Sequence, residues 1–69
     1  MAVRLLSKEH VERELANRDC EKVKEYGTAA LWRTKTGFYF TVPLEGPDGR
    51  CDEYSFKCVL TEIKIYDSK

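Results

Sequence analysis

Apolar and polar residues alternate most regularly in the middle of the chain. In Phe38-Tyr39-Phe40-Thr41-Val42 the first, third and fifth residues share one side, and Tyr39 and Thr41 share the other. A period of two is the mark of a strand with one covered face. Ala29 to Arg33 reads as a second strand before it, joined by Thr34-Lys35-Thr36-Gly37, a four-residue hairpin connection. Cys20 to Tyr26 is charged and weakly patterned, with Val23 its one branched apolar residue, so it is expected as an edge strand closed by a turn at Gly27-Thr28. Upstream the period changes. Ser7 is a helix cap, Glu9 sits in the first turn, and Leu6 and Val11 have the spacing of a hydrophobic staple. Val11, Leu15 and Ala16 form one stripe, and Asn17 to Asp19 are residue types suited to ending the helix in a left-handed turn.

Pro43 has no amide hydrogen for a ladder and is expected to end pairing, with Gly46-Pro47-Asp48-Gly49 marking a long connection. The next apolar set supports two periods. Tyr54, Phe56, Cys58 and Leu60 alternate like a strand, whereas Phe56, Val59, Leu60 and Ile63 follow helical spacing. Asp52 and Glu53 suit a helix start and Lys64 its end, which favours the helix. The predicted order is α-β-β-β-α, an α+β fold in which a three-stranded antiparallel sheet carries both helices on one face.

The 69 residues make one domain, residues 1–69, whose core has little to spare, because a chain of this size buries only about 60% of the surface it exposes unfolded. Twelve basic and twelve acidic side chains sum to zero, which opposes a role dominated by phosphate neutralisation. The distribution is less even than the sum: Tyr26 to Leu44 contains Arg33 and Lys35 and no acid. Cys20, Cys51 and Cys58 are odd in number and lack C-x-x-C spacing, the usage of thiols in a reducing cytosol. With a single histidine, His10, they match no zinc pattern, and neither metal nor cofactor is expected. No secretory leader is expected, and no apolar run approaches the roughly 20 residues of a membrane span, so the expected location is cytoplasmic. The Gly-rich nucleotide loops, the serine-hydrolase elbow and the H-E-x-x-H helix are all missing from the sequence.

From Asp19 to Pro43 the chain resembles the HicA (YcfA-like) toxin family. The resemblance is carried by Gly27-Thr28, by Trp32-Arg33 closing the second strand, by the turn ending in Gly37, and by Thr41-Val42-Pro43 closing the third, and in element order it extends over residues 7 to 64. It implies a fold similar to a double-stranded-RNA-binding domain, and a messenger-RNA ribonuclease held by a partner antitoxin. The family's histidine directly after the Gly-Ser or Gly-Thr pair is here Ala29, and the next residue, also often histidine in the family, is Ala30. A methyl group cannot move the protons that RNA cleavage requires, so no catalytic residue is assigned.

Two functions follow as expectations. The first is a non-catalytic interaction module, binding an antitoxin-like protein or another copy of itself. The second is an RNA-binding domain, with Lys24, Arg33 and Lys35 on phosphates and Trp32 or Tyr39 as a stacking surface. An active ribonuclease ranks behind both.

Overall fold

The computed structural model describes residues 4–67 and forms a small α+β domain. Its elements are β1 (Leu5–Leu6), α1 (Lys8–Ala16), β2 (Glu21–Glu25), β3 (Ala29–Arg33), β4 (Tyr39–Pro43), β5 (Cys51–Asp52) and α2 (Glu53–Asp67). A three-stranded antiparallel sheet has the order β2-β3-β4, and β1 pairs with β5 in a separate two-stranded ladder.

Helix α1 begins where its cap lies. Ser7 has extended backbone, and its hydroxyl oxygen accepts from the His10 amide at 3.1 Å. The far end closes as a Schellman turn: the Asp19 amide donates to the Ala16 carbonyl and the Cys20 amide to that of Leu15, both at 3.0 Å. Asp19 carries the left-handed backbone this requires, at φ 61°. Leu6, Val11, Leu15 and Cys20, which flank the two caps, all join the core.

The sheet buries one side. Register sets Ala30 against Val42 and Trp32 against Phe40, and these four are buried under Val11 and Leu15 of α1 and Phe56, Val59 and Ile63 of α2. Between them the other side shows Ala29 against Pro43, Leu31 against Thr41, and Arg33 against Tyr39. The hairpin connection is held by Thr34, buried with its polar atoms satisfied. Its hydroxyl lies 3.0 Å from that of Thr36 and accepts from the Phe38 amide at 3.1 Å.

Pro43 is the last residue of β4, as expected, and is still paired with Ala29. The Thr34 amide donates to the Phe38 carbonyl and the Leu44 amide to that of Thr28. Along β4, then, Phe38, Phe40, Val42 and Leu44 turn their backbone groups to β3, and Tyr39, Thr41 and Pro43 turn theirs outward. The hydrogen that Pro43 lacks is one the sheet never uses.

Its effect falls on the next segment. The expected long connection is a reversal in which Glu45 and Arg50 exchange both backbone bonds, at 2.6 and 2.9 Å. Continued in register, that ladder sets Asp52 against Pro43, which has no amide hydrogen to give. The returning strand instead pairs with the amino terminus, Leu6 against Cys51 and Leu5 against Asp52. Helix α2 follows at once. The Asp52 carboxylate accepts from the Tyr54 amide at 2.7 Å, and the Glu53 amide donates to the Arg4 carbonyl at 2.9 Å. Phe56, Val59 and Ile63 face inward and Tyr54 is 75% exposed, so the helical period prevails over the alternating one.

Leu15 is fully buried between α1 and the sheet. Leu15→Ala is expected to cost about 2–5 kcal/mol, a large part of the roughly 5–15 kcal/mol that holds a small domain together. A urea titration followed by tryptophan fluorescence should show the midpoint falling sharply.

Candidate functional site

The uncovered side of the sheet is built from three cross-strand rows. Glu21, Arg33 and Tyr39 form the first, Lys24, Leu31 and Thr41 the second, and Tyr26, Ala29 and Pro43 the third, with the Tyr26 amide donating to the Ala29 carbonyl at 2.7 Å. A bulge between Lys22 and Lys24 makes Val23 the extra residue of β2 and leaves it half exposed.

The structure divides the residues singled out from the sequence. Lys24, Arg33 and Tyr39 do meet on this face. Trp32, expected as a stacking surface, does not: it is 5% exposed and lies among the core side chains beneath the sheet. Its residue parity along β3 puts it opposite Leu31 and Arg33, so a base could reach it only by displacing the helices. Lys35 lies in the turn, where it borders a cleft of about 500 Å³ shared with Arg18, Asp19 and Lys64 and floored by Leu60 and Ile63. Ala29 is half-buried on the open face and Ala30 is in the core, so of the two alanines only Ala29 is open to the outside. His10 is exposed on α1, across the sheet from Ala29.

The cations have partners that the sequence did not disclose. Arg33 donates to the Glu21 carboxylate at 2.8 Å, and its guanidinium is held above its ordinary pKa by the hydrogen bond it donates to the Tyr39 oxygen and by the Glu21 charge. Lys35 lies 3.9 Å from the Asp19 carboxylate. Lys24 sits over the Tyr26 ring, 5.2 Å from its centre. Beside the sheet, Lys22 reaches Glu12 of α1 at 2.8 Å and Glu25 at 3.0 Å, and Lys8 reaches Glu25 at 2.9 Å. The Lys22–Glu12 and Lys8–Glu25 pairs fasten α1 to β2, and individually each is weak.

No group of three or more His, Cys, Asp or Glu among the described residues could hold a metal ion, and no described helix is long and apolar enough to cross a membrane. Cys20 and Cys51 are buried and Cys58 is exposed, none in a disulfide. Burial, followed by the charges of Asp52 and Glu45, pushes the Cys51 thiol up to about 11. With this geometry in view, comparison of the chain with protein families, curated proteins and solved structures finds no match to any of them.

Two measurements check these assignments. Hydrogen bonds from Lys8 and then Lys22 hold the Glu25 carboxyl below its ordinary pKa. A lowered folded-state pKa contributes stability above the unfolded value, and that contribution fades as pH falls through the folded one. Glu25→Gln should therefore melt below the native chain at neutral pH, with the gap closing in acid. Thiol labelling with iodoacetamide near neutral pH should modify Cys58 in the folded protein and reach Cys51 only after denaturant is added, since the thiolate is the reactive form.

Proposed function

We propose that this chain is a non-catalytic, HicA-like interaction module, with a fold of the double-stranded-RNA-binding type, that binds another protein. One observation carries the reading: the charges around the open face are answered inside the chain, Arg33 by Glu21 and Lys35 by Asp19, with Lys24 set over a tyrosine ring. A phosphate backbone would have to displace those carboxylates, and a chain of zero net charge supplies no long-range attraction toward it.

What the face does present is contact surface. Leu31, Tyr39 and Tyr26 lie in successive rows with only neutralised or ring-capped charge around them. Tyrosine gives a large, stiff contact area with a polar tip, well suited to protein surfaces. At the position where the resembled family keeps its histidine, the open face offers the methyl group of Ala29. The order α-β-β-β-α and the fragments around Gly27, Trp32 and Pro43 support the kinship, and the alanine supports a binding role without cleavage.

The test is photo-crosslinking in cells with p-benzoylphenylalanine in place of Leu31. Discrete adducts that survive ribonuclease and disappear with protease are expected. Adducts lost to ribonuclease would put the RNA-binding reading first, and no adduct at all would defeat the proposal. In parallel, the purified chain should pass through immobilised RNA at low salt without retention.

A further inference from the structure

The sheet has two edges, and they differ in kind. The β2 edge is guarded: its sequence is Glu-Lys-Val-Lys-Glu, every residue is exposed, and the bulge at Val23 breaks its line. Edge charge and bulges are the usual devices against adding a strand. The β4 edge has neither. From Gly37 to Leu44 the chain carries no charge, and β4 pairs with β3 in unbroken register.

Along that edge the N–H and C=O groups of Tyr39 and Thr41 point away from β3, as the alternation between the Phe38 and Leu44 bonds requires. They form two donors and two acceptors in a row. Beyond them Pro43 offers no donor, so the usable edge runs from Tyr39 to Thr41. At its start the half-exposed ring of Tyr66 stacks on Phe38 with centres 4.6 Å apart, providing an apolar ledge on the helix side of the sheet.

We propose that this edge takes up an extended peptide segment of a partner protein as a fourth strand. The inference rests on the interaction reading above and gives it a place. A second copy of the chain is the wrong occupant for two reasons. Three residues of edge span only about 10 Å, far short of the roughly 800 Å² per partner that a stable dimer buries. In addition, α2 packs against β4, so pairing β4 with its symmetry mate would crowd two α2 helices together on the same side of the sheet, where packed helices need about 8–10 Å between their axes. A lone strand brings no helix. Its backbone takes the four free groups, and its alternate side chains rest on the Tyr66 ledge, so an apolar residue is expected at those positions.

The probe is a phage-displayed library of random heptapeptides, selected on the folded chain and followed by binding measurements on the synthetic peptides recovered. Thr41→Pro removes an outward N–H that the sheet does not use, and Thr41→Val keeps it. Selected peptides should lose more than tenfold in affinity for Thr41→Pro and little for Thr41→Val. Methylating the peptide's own backbone nitrogens one at a time should abolish binding at alternate positions only, a readout that holds even if Thr41→Pro fails to fold. Peptides that ignore both changes but are lost with Leu31→Asp would overturn the edge proposal and leave the open-face interaction standing. Recovery of no binding peptide would overturn the edge proposal as well, while the crosslinking experiment judges the interaction reading separately.

Discussion

Covering one face of a three-stranded sheet is the constraint on which this molecule depends. Strands of five residues, paired only by backbone bonds, are marginal in water until an apolar face is removed from it. Ala30, Trp32, Phe40 and Val42 supply that face, and two helices are needed to cover it. A chain this short has no second set of large side chains for a second core. The opposite face is therefore left with residues that tolerate water: tyrosines, a threonine, a half-buried leucine and paired charges.

Pro43 determines how the second helix arrives. By withholding one hydrogen bond it stops the Glu45–Arg50 ladder from growing along β4 and sends Cys51 and Asp52 to Leu6 and Leu5. That detour fastens the amino-terminal segment across the base of the molecule and delivers Glu53 directly into α2, with Asp52 capping it. The proline thus shapes the fold through the backbone donor it lacks, and the same absence limits how much of the β4 edge remains open.

Much of this was legible in the chain because it is encoded within a few residues. Ser7 with Glu9 marks the start of α1, Asp19 its left-handed end, and the Phe38-Phe40-Val42 period marks which side of β4 is covered. What could not be read depends on residues brought together from afar. The two-residue strands β1 and β5 have no period of their own, and each exists only because the other is beside it. The bulge at Val23 follows from fitting β2 onto β3. Trp32 was open to a stacking role in sequence, and it is the placement of α1 and α2 that puts it in the core. For residues 53–67 Asp52, Glu53 and Lys64 already favour the helix over the strand alternation of Tyr54 and Cys58, and the exposure of those two agrees with it. For the site, the cations were visible in sequence but their cancellation was not: Glu21 is twelve residues from Arg33 and Asp19 sixteen from Lys35.

That cancellation and the guarded β2 edge have a common cause. Glu21, Lys22, Lys24 and Glu25 make β2 the charged margin of the sheet; Lys22 and Glu25 pair with α1 on one side, Glu21 with Arg33 on the other, and Lys24 lies over the Tyr26 ring. Having a neutralised face and a closed margin on that flank leaves the opposite flank, uncharged from Gly37 to Leu44, as the part of the sheet where backbone groups and aromatic rings are both accessible. A binding surface on this scaffold is thus displaced toward β4 by the arrangement that secures α1 to β2. Substitutions that reverse charge along β2 act first on the attachment of α1, and those along β4 act on what the sheet can still accept.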